Sequence, residues 1–341
     1  MSSRVVDSFR TQIGWCRTLG SPFTAALLEQ ALADLERGGP VAALLGDWPG
    51  DPTADALPLR LAGAAHALVL SGASPALAAC YPPQAETDRV GAVLAAEIAS
   101  RPAWFRAVLR TAPQTNEARR SVVLLGGFLT LAAETGLPLR LLEIGASAGL
   151  LQHWDRFRYR LGDAVWGPAN AGVQVITDWS GPLPPLDAVL TIASRAACDR
   201  DPVDLASDEA VLRLRAYVWA DQTERAALLD AAIAQARTAT VQVEAADAAD
   251  WVEARLAEPV PDQLTVLYHT IVWQYLPEAT KDRILTALEH YGARAPLAHL
   301  AFELSPEGGP PALTLSVWPD RRRRVLAHAH PHGAAVTWLA G

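Results

Sequence analysis

The sequence predicts an α/β protein in which a doubly wound, Rossmann-like sheet follows an all-helical N-terminal domain. Three observations carry that expectation. Residues 1–135 read as one helix after another without a convincing strand pattern. At Leu137 the character changes to short apolar runs alternating with helical periods, and the chain closes on several short strand-like runs. Strands alternating with helices imply a parallel sheet covered on both faces, followed by an antiparallel hairpin. At 341 residues the chain is long for one core, so two domains are expected, 1–135 and 136–341.

Residues 23–37 carry apolar side chains at helical spacing and stop at Gly38-Gly39-Pro40, a strong stop signal. Residues 57–70, 90–100, 102–109 and 116–135 continue the helical pattern. Residues 139–144 form a short apolar run ending in a glycine turn, and 147–159 then read as a helix. Strands are expected at 173–177 and 188–192; the Gly-, Pro- and Trp-rich segment 160–187 reads as an insertion. Residues 208–237 are helical with a break near Ala220-Asp221, 241–244 a strand, 250–256 a short helix and 264–269 a buried strand. A helix over 277–291 has proline near its first turn. Residues 297–303, 312–318, 325–330 and 336–339 complete the strands.

Composition narrows the partners. With 50% hydrophobic and 19% charged residues, the chain reads as an ordinary globular protein. A net charge of −8 and a pI near 5.5 disfavour a nucleic-acid backbone or an anionic membrane as the main partner. Cys16, Cys80 and Cys198 are odd in number and far apart, which suits a reducing cytoplasm rather than a disulfide framework. The N-terminal stretch lacks the apolar core of a signal peptide, and runs such as 59–70 are too short and too interrupted to span a bilayer. A cytoplasmic protein acting on a small molecule is expected, with its oligomeric state left open.

The stretch "LLEIGASAGLLQHWD", residues 141–155, fits two motifs. Read from Gly145 it is G-x-S-x-G, the elbow that presents a serine, here Ser147, in α/β-hydrolases, with Asp247 and His299 as conceivable partners. Such an elbow normally follows several strands, whereas this turn follows the first. The cofactor reading explains more. Gly145 and Gly149 permit a tight turn, and Ala146, Ser147 and Ala148 keep the loop small enough for a ligand to approach the backbone. A helix starting near Ser147 would add unpaired N–H groups. A dinucleotide fingerprint needs glycine where Ser147 and Leu150 stand, so NAD and FAD are disfavoured. S-adenosylmethionine suits the turn better: it lacks a pyrophosphate but carries a carboxylate and an ammonium. Glu143 either attracts that ammonium or caps the turn.

Two further acids fall where such a cofactor needs them. A carboxylate after the second strand can accept from ribose hydroxyls. Asp199 fills that role if 173–177 belongs to an inserted hairpin, and Asp178 does otherwise; the first alternative is preferred. Asp247 ends the next strand, within reach of an adenine amino group. Each acid serves equally well as a loop carboxylate or a helix N-cap.

The stretches "QTNEARRSVVLLGGFL", "LRLLEIGASAGLLQHWDRFRYRLGD", "DRDPVDL" and "VLYHTIVWQYLP", in that order, resemble the bacterial domain-of-unknown-function 2332 family over most of the chain. In its second half that family resembles class I S-adenosylmethionine-dependent methyltransferases. The resemblance implies that fold and cofactor class without fixing a reaction. The chain departs from the family at Leu151, where members tend to carry asparagine or a similar polar residue.

In a doubly wound sheet ligands bind beyond the carboxyl ends of the strands. That places Tyr268, His269, Trp273 and Tyr275 near a transferable methyl group. His269 is suited to proton transfer near neutrality, or is simply a structural histidine. Trp273 and Tyr275 form an aromatic wall or part of the core. Asn116 lies in a polar patch with Gln114, Glu117, Arg119 and Arg120, lining a cleft or serving as an N-cap. Arg195 either holds a substrate anion bidentately or pairs with Glu143 or Asp199. The arginines 321–324 read as a solvated turn, and His328 and His330 lack an adjoining acid or cysteine, so no metal site is expected. The preferred function is methyl transfer from S-adenosylmethionine to a small molecule. A non-catalytic nucleoside-binding protein is the alternative, and a serine hydrolase stands third.

Overall fold

The structure is a computed structural model that describes residues 3–238, 242–305 and 308–339. Its helices are α1 (Ser3–Thr18), α2 (Pro22–Glu36), α3 (Pro40–Leu45), α4 (Leu57–Leu70), α5 (Pro75–Ala78), α6 (Thr87–Ser100), α7 (Pro102–Leu109), α8 (Ser121–Thr135), α9 (Asp208–Ala216), α10 (Thr223–Ala236), α11 (Ala248–Leu256) and α12 (Glu278–Gly292). Its strands are β1 (Leu139–Ile144), β2 (Arg158–Leu161), β3 (Ala164–Trp166), β4 (Gln174–Ser180), β5 (Ile192–Asp199), β6 (Val243–Ala245), β7 (Leu264–Thr270), β8 (Leu297–Glu303), β9 (Ala312–Trp318), β10 (Arg322–Ala329) and β11 (Ala335–Trp338). Val241, placed by the sequence at the start of a strand, lies outside the described residues.

The chain divides into two units: residues 1–115 with 206–227, and residues 116–205 with 228–341. The first is helical. Proline occupies the first turn of α2, α3, α4, α5 and α7, where its missing N–H costs nothing. Phe9, Leu28, Leu35, Leu61, Leu94 and Phe105 form its buried core. The returning segment is integral to it. Asp221 accepts the Phe23 N–H at 2.8 Å and the Ser21 hydroxyl, closing the start of α2. Gly63 in α4 lies so near Tyr217 that a Cβ there would stand 2.6 Å from the ring.

The second unit is built on one sheet in the order β3-β2-β4-β11-β10-β9-β8-β7-β1-β5-β6. The run β6-β5-β1-β7-β8 is entirely parallel. From β8 to β11 the strands are antiparallel, so the hairpin the sequence predicts is part of a longer four-strand antiparallel run. β11 then pairs parallel with β4, β4 with β2, and β3 folds back on β2. Helices cover both faces of the parallel part. Leu142, Ile144, Cys198 and Leu267 pack with residues of α11 and α12 on one side. On the other, α8 presses so closely that a Cβ on Gly127 would lie 2.5 Å from Leu300, and one on Gly126 2.4 Å from Trp338. The segment 116–135, read as the end of the helical half, therefore packs as part of the sheet unit. The rims, β3 and β6, have three residues each.

Two local expectations are corrected. The helix expected over 147–159 is a 3-10 segment, Leu150–Arg156, followed by β2. Ser147 (φ +53°) and Gly149 (φ +71°) both sit in the left-handed region, which prevents an α-helix from starting at the turn. Downstream, Tyr159 and Leu161 alternate as buried strand residues against β4. The strand expected at 188–192 begins where that reading ends, at Ile192, and Val189 is 87% exposed. β5 is made of small and polar residues (IASRAACD), so its apolar pattern is weak although it lies between β1 and β6.

Candidate functional site

Chain order reverses at β1: β5 and β6 follow on one side and β7 and β8 on the other. The glycine turn leaves β1 at this point, and its backbone is held from two directions. Ser147 N–H donates to Asp199 Oδ2 at 2.8 Å, and Leu150 N–H donates to Asn116 Oδ1 at 2.8 Å. Ala146 N–H donates to the Cys198 carbonyl at 3.1 Å. Gly145 (φ +66°) cannot be replaced without strain, because a Cβ would lie 2.5 Å from Val272. Asp199 ends β5, the strand beside β1, and its Oδ1 also accepts the Asp201 N–H at 2.9 Å. Asp247 follows β6, where its Oδ1 caps α11 through Ala249 and Asp250.

Beneath the turn, on the α8 face, Glu143 is 2% exposed. Its Oε2 accepts from Gln152 Nε2 at 2.7 Å and from the Tyr268 hydroxyl at 3.0 Å, and Gln152 also donates to that hydroxyl. Burial pushes the Glu143 carboxyl up to about 7, the two hydrogen bonds pulling the other way. Arg195 lies on the same face of β5 and holds Asp155 bidentately at 2.7 and 2.8 Å, while donating to the Gln152 carbonyl. Of the partners the sequence suggested for it, Glu143 and Asp199, the structure gives neither. Arg195 fastens the 3-10 segment to the sheet.

The opposite face carries a second polar centre at the same strand ends. His269 is fully buried; Nδ1 lies 2.6 Å from Glu303 Oε1 and Nε2 lies 2.9 Å from His299 Nε2. Burial holds His299 well below the usual histidine range, with His269 adding to the effect. The Trp273 indole lies flat over His269, 5.0 Å between ring centres and 11° between planes. Ile271 takes φ +49°, a conformation on the order of 1–3 kcal/mol above the ordinary for a β-branched residue.

Glu143, Gly145, Ala146, Ser147, Gly149, Asn116 and Asp199 thus converge on one loop, with Asp247 beyond them and His269 and Trp273 on the other face. Asp178 does not join them: β4 is separated from β1 by five strands in sheet order, and Asp178 sits in mid-strand with its N–H on the Ala334 carbonyl. Tyr275 is 70% exposed. Among the described residues, Ser147 Oγ is buried without a hydrogen-bond partner, and His299 is engaged by His269 instead. Gln152, Asp155 and Glu303 were missed in the sequence. Glu303 alone left a signal, an acid closing an apolar strand.

The chain belongs to a bacterial family: residues 6–338 match the family described as an uncharacterized protein conserved in bacteria (DUF2332). No curated protein and no solved structure matches it. Among the described residues, no helix is long and apolar enough to cross a membrane.

Proposed function

We propose that the sheet unit is a class I methyltransferase-like domain that binds S-adenosylmethionine and transfers its methyl group to a small-molecule acceptor. One observation carries this reading: Asp199, closing the strand beside β1, grips the glycine turn through Ser147 N–H at the point where strand order reverses. Ribose hydroxyls would be held by Asp199, whose two oxygens each retain a lone pair beyond the bonds to Ser147 and Asp201. Asp247 stands one strand further, where an adenine amino group would lie. The fit is weaker at the amino-acid end. The Ser147 and Leu150 N–H groups are already taken by Asp199 and Asn116, so Glu143 would act there from below, through Gln152.

Bound there, S-adenosylmethionine supplies a methyl group on a sulfonium centre. The protein's own contribution is orientation, exclusion of water and removal of the acceptor's proton. His269 is the residue assigned that proton, and Trp273 must move from its ring for the two to meet. The burial of His269, with both nitrogens engaged, favours a second reading in which the unit binds a nucleoside without catalysis.

Calorimetry with S-adenosylmethionine, S-adenosylhomocysteine, NAD and ATP tests the proposal. Binding of the first two, weakened at least tenfold by Asp199→Ala, is expected; if neither binds, the reading is lost.

A further inference from the structure

The loop from Ile271 to Tyr275, between β7 and α12, is held by one carboxylate as well as by its backbone, where Ile271 N–H donates to the Phe302 carbonyl at 2.8 Å and Tyr275 N–H to the Val272 carbonyl at 2.9 Å. Glu303, at the end of β8, accepts three N–H groups. Oε1 takes His269 Nδ1–H at 2.6 Å and Val272 N–H at 3.1 Å, and Oε2 takes Trp273 N–H at 3.2 Å. Ile271 enters the loop in the left-handed region, a costly conformation for a β-branched side chain. What the clamp holds in place reaches in two directions. Val272 packs directly on Gly145, the first residue of the glycine turn. Trp273 covers the ring of His269.

We infer that Glu303 is a positioning residue that sets both the shape of the glycine turn and access to His269, by clamping the backbone of Val272 and Trp273. The inference rests on the methyltransferase reading for its functional part, and on the three hydrogen bonds for its structural part. A carboxylate is required, because only an acceptor with two oxygens satisfies N–H groups on both sides. In Glu303→Gln the oxygen can keep His269 and Val272, but the amide NH2 meets the Trp273 N–H donor to donor. In Glu303→Ala all three donors lose their partner.

Residue-resolved hydrogen exchange on the full-length protein, combined with S-adenosylhomocysteine calorimetry, tests this. In Glu303→Gln the Trp273 amide is expected to exchange about tenfold faster while Val272 stays protected. In Glu303→Ala both amides exchange faster by that factor or more, and affinity for S-adenosylhomocysteine falls about tenfold. The graded response of two neighbouring amides separates a clamp from general loosening, and Glu303→Gln supplies it even if Glu303→Ala does not fold. Unchanged exchange at Trp273 in Glu303→Gln overturns the clamp. Faster exchange with unaltered affinity in Glu303→Ala overturns the positioning role. Wild-type protein that binds no S-adenosylhomocysteine overturns the methyltransferase reading, and the positioning role with it.

Discussion

Tyr268 and His269 are neighbours in β7, yet they build two different polar centres, one on each face of the sheet. Tyr268 points toward α8 and joins Glu143 and Gln152. His269 points the other way and joins Glu303 and His299. Each centre pairs a carboxyl with a ring, but their depths differ. Glu143 is buried and meets only a neutral amide and a phenol, so its neutral form is favoured. Glu303 is less buried and collects two backbone N–H groups as well as an imidazole nitrogen. Depth and the choice of donors, rather than residue type, decide what each acid does.

Substitutions on the two faces sharpen this contrast. The largest effect is expected from Trp154→Ala. Trp154 is fully buried and stacks on Phe128 at 4.5 Å, so its loss is expected to cost about 3–5 kcal/mol in denaturant unfolding. Trp273→Ala, on the half-buried loop opposite, is expected to cost about 1 kcal/mol. Equal losses would show that the α8 face is no more tightly built than the other.

The titrating groups should pull in opposite directions. The Glu143 carboxyl rises from 4.5 to about 7 on folding, so its contribution is fully present below pH 4.5 and fades as the pH climbs to about 7, on the order of 3 kcal/mol in all. His299 is depressed, so its contribution is present above pH 6.5 and is lost as the medium acidifies through its folded value. Melting temperature against pH for Glu143→Gln, relative to wild type, should show a gain on the alkaline side; for His299→Gln the gain should appear on the acid side. Parallel difference curves would refute the distinction.

Arg195→Lys removes the bidentate grip on Asp155 while keeping the charge, and about 1–2 kcal/mol of stability should go with it. An unchanged unfolding midpoint would mean that the 3-10 segment is held by packing alone. The smallest effect is expected from Tyr275→Ala. At 70% exposure it should alter stability by less than about 0.5 kcal/mol, and a larger loss would reveal a contact outside the loop.

The sequence made the strongly apolar strands legible. β1, β8 and β9 begin and end where their apolar runs do, because burial demands those side chains. β5 was misplaced because a strand flanked by two parallel neighbours draws its hydrogen bonds from the backbone, and small polar residues satisfy it. Of the site, the placement of the glycines in a turn and of Asp199 at a strand end was readable, because backbone geometry and strand ends leave a pattern in the sequence. What Arg195 and Glu303 hold was not. Their partners, Asp155 and the loop amides, are 40 and about 30 residues away and meet them only through the sheet.

The three-residue rims of the sheet have a consequence for the protein's life in a crowded solution. A long sheet with open borders is a template on which another chain can crystallise strand by strand. Here β3 and β6 offer too few backbone groups for an incoming strand to hold a register. The sheet can therefore grow wide inside the molecule without inviting growth beyond it.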